Sequence, residues 1–249
     1  MRKGERMSFC LAFMNVGLWN RVTMLGKFSK DFYKCFIKDD RYQLLLNGIG
    51  VTIEISLLSA LLGTILGFLI ALCSLSKSKA LRFIGKVYTD IIRGTPSVTQ
   101  LMIIYFVVFA SIQWPKWIIA SIAFGINSGA YVSEIFRAGI LSIDKGQTEA
   151  GRSLGLNAVQ TMVYITVPQA IKNIFPALCN EFITLIKETA IVGYVGLVDI
   201  QKAGDFIKSL TFSAYMPLLA TAVIYFVIIK SLTLLLGRVE KKLRKSDIR

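Results

Sequence analysis

Residues 149–168 read EAGRSLGLNAVQTMVYITVP, a polar and finely punctuated stretch between two long apolar segments. Flanks that apolar make it a loop between membrane helices, yet its residues specify two short capped helices. Asp144 with Gln147 three residues on is one N-terminal capping signal, and Asn157 with Gln160 is a second. Gly155 between them can take the left-handed conformation that ends a helix. A loop with that much local specification suits docking rather than tethering. The alternative is an interfacial helix lying on the bilayer.

The rest of the chain supports a membrane setting. Of its 249 residues 54% are hydrophobic and the mean hydropathy is +0.60, too apolar for an average soluble domain. Several apolar runs approach the roughly 20 residues that span a bilayer as helix. The net charge of +14 raises nucleic acid as a partner, but the basic residues flank apolar runs, where the positive-inside rule accounts for them. His is absent, which removes the commonest metal ligand and proton shuttle. Cys10, Cys35, Cys73 and Cys179 are scattered, without ligand or disulfide spacing. No GxxxxGK[ST] loop occurs, so this chain does not hold ATP in the Walker manner. The expectation is a chain with no cofactor of its own.

Five spans are expected, at about 44–75, 88–109, 118–140, 175–198 and 215–237. In the first, Ser59, Gly63, Gly67 and Ala71 recur every fourth residue, a stripe that lets another helix approach closely within the bundle. The second is interrupted at Arg93-Gly94-Thr95-Pro96, where a kink is expected because Pro96 lacks a donor and disfavours helix at Thr95. Pro115 between Trp114 and Trp117 reads as an outer turn with interfacial anchors. Residues 1–42 form a basic extension whose stretch 7–19 is either interfacial or a start-site extension, with no clear signal-peptide cleavage site. Residues 43–240 form the membrane domain and 241–249 a basic tail. Five spans put the amino end outside and the tail in the cytoplasm, although the basic first forty residues fit this poorly.

The polar loop resembles the EAA loop of membrane subunits of ATP-binding cassette (ABC) importers. Glu149, Ala150, Gly151, Gly155, Ile165 and Pro168 carry the match, with Gly151 in place of the usual third Ala and Val167 in place of Leu. Arg93-Gly94-Thr95-Pro96 with Gln100, NSGAY at 127–131 with Glu134 and Arg137, Pro168-Gln169-Ala170 and Lys187-Glu188-Thr189 are similar to the polar amino acid branch, especially glutamine-type permeases. Ala190-Ile191 departs from the Ser-Leu usual there, which leaves the substrate open. The resemblance covers about residues 43–240. It implies an all-α membrane fold of five transmembrane helices in the cell membrane of a prokaryote, with a coupling helix between the third and fourth. It further implies ATPase docking through Glu149, Ala150, Gly151, Gly155, Leu156 and Pro168. The implied partners are two cytoplasmic ABC ATPases that use the ATP, a second permease subunit, identical or homologous, and an extracellular solute-binding protein.

Charged residues at depth in a bilayer cost several kcal/mol unless they face a cavity or partner, so each is a functional candidate. Glu54, Glu134, Glu181, Lys187 and Glu188 qualify, with Asn127, Asn180 and Thr184 as neutral companions. On a helix, Asn180, Thr184 and Lys187 share one face and Glu181 and Glu188 an adjacent one. The expected substrate pathway is Asn127, Asn180, Thr184, Lys187 and Glu188, since a zwitterionic amino acid needs both a cation and an anion. Gating or inter-subunit ion pairs are the alternative for Lys187 and Glu188. Permeases for another small solute and secondary transporters remain as competing functions, the second weakened by the absence of a visible inverted repeat.

Overall fold

The computed structural model describes residues 26–244, so the stretch 7–19, Cys10 and residues 245–249 lie outside the described residues. A leading arm is helical over 26–32 and continues as a π-turn over Tyr33–Ile37 and a 3-10 turn over Lys38–Asp40. Then follow α1 (Tyr42–Leu75), α2 (Lys79–Arg93), α3 (Ser97–Ile103, extended by a π-turn over Ile104–Val108) and α4 (Lys116–Leu141). The loop holds α5 (Lys145–Ser153) and α6 (Ala158–Thr161). After it come α7 (Val167–Glu188), a 3-10 turn (Thr189–Val195), α8 (Ile200–Thr211) and α9 (Tyr215–Arg244).

The bundle is organised on α1 and α4. Ser59, Gly63, Gly67 and Ala71 are all buried, as their spacing predicts, and face Gly125, Ser128, Gly129 and Val132 of α4. A Cβ at Gly67 would stand 2.6 Å from Val132 Cγ1 and 2.8 Å from the Gly129 carbonyl oxygen, so only glycine permits this approach. Ser59 Oγ donates to the Ser121 carbonyl at 3.1 Å. Phe68 meets Phe136 edge-on at 5.5 Å between ring centroids. Contacts advance together along both helices, so α1 and α4 run parallel. Both descend from a distal end, near residues 42 and 116, to a basic end, near 75 and 141.

The segment between them makes the return. The expected kink is a bend of 104° between Lys79–Arg93 and Ser97–Val108. Helix also begins at Lys79 rather than near 88, because Lys79, Arg82, Lys86, Asp90 and Arg93 fall on one stripe of an amphipathic helix. A broken helix frees carbonyls that a membrane interior cannot hydrate. Gln100 takes up this role: its Nε2 donates to the Ile92 carbonyl (2.7 Å) and to Thr95 Oγ1 (2.6 Å). Thr95 Oγ1 in turn donates to the Ile91 carbonyl at 2.9 Å.

The span expected at 175–198 has other limits. Helical structure is unbroken from Ala158 through a π-turn at Met162–Thr166 to Glu188. Pro168 has no N–H for the Tyr164 carbonyl four residues back and its ring crowds that group, so the turn there is wider. By length and hydropathy alone, Tyr42–Leu75, Lys116–Leu141 and Tyr215–Lys242 qualify as spans among the described residues, and the bent pair makes a fourth. The fourth expected span, α7, falls short because it carries Gln169, Lys172, Asn173, Asn180, Glu181, Lys187 and Glu188. The amphipathic α8 was not anticipated, and α9 extends past residue 237 into the basic tail.

Candidate functional site

The polar loop is fixed by its own sequence. Asp144 caps α5 by accepting from the Gly146 amide at 2.6 Å, while Gln147 makes no reciprocal bond to the Asp144 amide. Asn157 and Gln160 form the full reciprocal box at 2.9 and 2.8 Å. Gly155 is left-handed, with φ +87. The Leu156 amide donates to the Gly151 carbonyl (3.2 Å) and the Gly155 amide to the Arg152 carbonyl (3.1 Å), the two bonds of a Schellman stop. Arg152 Nη1 adds a bond to the Leu156 carbonyl at 3.0 Å.

The loop's side chains divide by burial. Gly151 is buried, because a Cβ there would stand 2.6 Å from Ile165 Cδ1 and 2.9 Å from Thr161 Cγ2. The Gly in place of Ala thus lets α5 close onto the start of the long helix. Leu156 is half-buried, whereas Glu149, Ala150, Gly155 and Pro168 are exposed. The sequence reading passed over Leu154, which at 81% exposure forms the apolar apex with Val159 at 71%. An apolar residue at a helix stop flanked by Arg152 and Ser153 was the available signal. Asn173 Nδ2 donates to Ser142 Oγ at 2.9 Å and ties the loop's root to α7.

The expected polar track is partly assembled. Asn180, Thr184 and Lys187 share a face of α7, with Asn180 and Lys187 exposed and Thr184 half-buried. Asn127 is turned elsewhere: it is buried, and its Nδ2 donates to Gln100 Oε1 at 2.8 Å, bracing the bend. A hydrogen bond from α4 to α7 comes instead from Ser128 Oγ, which donates to Glu181 Oε1 at 2.8 Å. Arg137 pairs with Glu134 on its own helix at 2.7 Å. Among the described residues neither Lys187 nor Glu188 forms an ion pair.

At the distal end lies an acid that the sequence reading did not single out. Asp199 is 0% exposed and caps α8. Its Oδ1 accepts from the Lys202 amide (3.0 Å), and its Oδ2 from the Gln201 amide (3.1 Å) and the Tyr225 hydroxyl (3.1 Å). Gly48 of α1 lies directly against it; a Cβ there would be 2.7 Å from the Asp199 carbonyl carbon. One carboxylate therefore joins α8 to α9 beneath the α1 backbone. The run Asp199-Ile-Gln-Lys before an amphipathic stretch was the signal.

Residues 63–245 match the family described as binding-protein-dependent transport system inner membrane component. The chain is similar to the arginine transport system permease protein ArtQ of Bacillus subtilis (strain 168), 42% identical over 205 residues, or 82% of this chain and 94% of that protein. It is also similar to the glutamine transport system permease protein GlnP of Escherichia coli (strain K12), 34% identical over 204 residues, or 81% and 93% of the two. Among solved structures, a crystal structure of an amino acid ABC transporter with histidines is 39% identical with a TM-score of 0.77, covering 83% of this chain and 98% of that one.

Proposed function

This chain belongs to the family of binding-protein-dependent transport system inner membrane components, and we propose on that premise that it is the membrane subunit of an ATP-driven importer of polar amino acids. The observation that carries the reading is the rigid, doubly capped loop with an exposed apolar apex at Leu154 and Val159. Apolar anchors held on a fixed frame are what a protein groove binds. In this reading the loop seats on a cytoplasmic ATPase, and Glu149, Ala150 and Leu154 meet it. Gly151, Gly155, Leu156 and Pro168 set its shape.

Five segments cross the bilayer in this reading: α1, the bent α2–α3 pair, α4, α7 and α9. Lys77, Lys79, Arg82, Lys145, Arg152, Arg238, Lys241 and Lys242 cluster at one end, which supports placing that end in the cytoplasm. Residues before α1 are then outside. A second permease subunit faces the exposed side of α7, so that Asn180, Thr184, Lys187 and Glu188 line the route between them, with Asn127 bracing its wall. An external binding protein delivers the amino acid, and ATP is used by the ATPases.

The test is uptake of labelled amino acids into proteoliposomes holding the permease, its ATPase and its binding protein. Uptake requires ATP, and Leu154→Asp abolishes both uptake and ATPase co-purification while helical content is unchanged. ATP-independent uptake, or full uptake by Leu154→Asp, overturns the reading.

A further inference from the structure

The distal end carries a cavity of about 430 Å³ between the 3-10 turn and α8, lined by Ala190, Gly193, Tyr194, Gln201, Lys202 and Asp205. That lies within the roughly 300–1,000 Å³ of small-molecule sites. None of these residues belongs to the polar track of α7.

Two charges of opposite sign lie on one face of α8, a single turn apart, at Lys202 and Asp205. They do not neutralise each other: among the described residues neither Lys202 nor Asp205 forms an ion pair. The Lys202 stem crosses Gly193, where a Cβ would stand 3.2 Å from Lys202 Cδ, and its Nζ lies 5.6 Å from the centre of the Phe206 ring. Its head is thus held by a cation–π contact rather than by a carboxylate. The Gln201 amide and the largely exposed Tyr194 lie on the same rim. The floor is firm, because the buried Asp199 caps α8 at the residues that line the cavity.

A ligand that suits this wall needs an anion and a cation on adjacent atoms and a polar remainder. We propose that the cavity is a reception site for a zwitterionic α-amino acid on the distal face, with Lys202 taking the carboxylate and Asp205 the ammonium. The Gln201 amide and Tyr194 hydroxyl then meet the polar side chain. This rests on the importer reading, and deepens it by adding a stop ahead of the α7 track. Gly193 is part of the site, since a side chain there displaces Lys202.

The test is equilibrium binding of labelled L-glutamine and L-arginine to the permease–ATPase complex in nanodiscs, with no binding protein present. Lys202→Gln and Asp205→Asn each weaken binding by about tenfold or more, the scale of one lost charge-assisted contact, while Lys202→Arg stays within about threefold. Analogues of glutamine lacking the α-amino or the α-carboxyl group compete at least about tenfold more weakly with the unmutated complex, a result that needs no variant to fold. Unchanged binding in either neutralised variant, or equal competition by a one-group analogue, overturns the site and leaves the importer reading standing. Variants that lose only stimulation by the binding protein overturn it too, and assign the patch to that protein. If the complete transporter takes up no amino acid, the importer reading falls and the site with it.

Discussion

At the basic end, α5 and α6 start on Asp144 and Asn157, both exposed and both serving only their own helix. At the distal end, α8 starts on Asp199, which is fully buried and also binds Tyr225 from another helix. The same capping chemistry does two jobs. In water it shapes a surface loop, and each bond contributes modestly because water competes for it. In the bundle it joins one helix to the next across the packed interior, and an unmade bond has no solvent to replace it.

The largest expected effect lies on the buried side of this comparison. Asp199→Ala leaves two amides and the Tyr225 hydroxyl without their acceptor and destabilises the protein by about 3 kcal/mol. Asp199→Asn retains an acceptor oxygen and costs about half as much. Thermal unfolding in detergent, with the Tyr225→Phe variant as a reference costing about 1 kcal/mol, measures both. If Asp199→Ala is no worse than Asn157→Ala, burial adds nothing to a cap and the contrast fails.

An intermediate effect is expected at Gly151, where the basic end itself becomes crowded. Gly151→Val drives methyl groups into Thr161 and Ile165 and costs about 2 kcal/mol of local stability. Hydrogen exchange at the amides of 145–165 rises, while exchange in α1 and α4 is unchanged. Normal protection across the loop would mean that α5 is not locked against the long helix.

The smallest effect belongs to Gly155. Nothing lies within 4 Å of a Cβ built there, so only its φ of +87 opposes substitution. Gly155→Ala costs about 1 kcal/mol and Gly155→Asn about half of that, since Asn tolerates the left-handed region. Protease susceptibility of the loop orders them as Gly, Asn, Ala. An Ala variant as resistant as the parent would show that the Schellman bonds do not depend on glycine.

This contrast also separates what the sequence could reveal from what it could not. Gly155, the Asn157–Gln160 box and the small-residue stripe of α1 were readable because each signal is local or periodic. The bend at Pro96 was readable as a break, but its 104° was not. That angle depends on Gln100 and Asn127, which meet across elements. The bond from Asn127 to Gln100 was therefore not legible in the sequence. The short, amphipathic α8 was lost among apolar runs, and α7 was begun too late because the polar residues over 169–173 interrupt its apolar pattern. Leu154 stood out only once its exposure was known.

The unbroken helix from Ala158 to Glu188 has a mechanical consequence. At 1.5 Å per residue it is a strut of about 45 Å, planted in the capped polar loop at one end and in the Lys187–Glu188 shoulder at the other. A tilt imposed at its foot reaches the shoulder through helix alone, with no loop in between. The π-turn and Pro176 are its two compliant points. The same strut carries the 3-10 turn that walls the distal cavity, so tipping the foot by a few degrees swings that wall sideways by several ångströms.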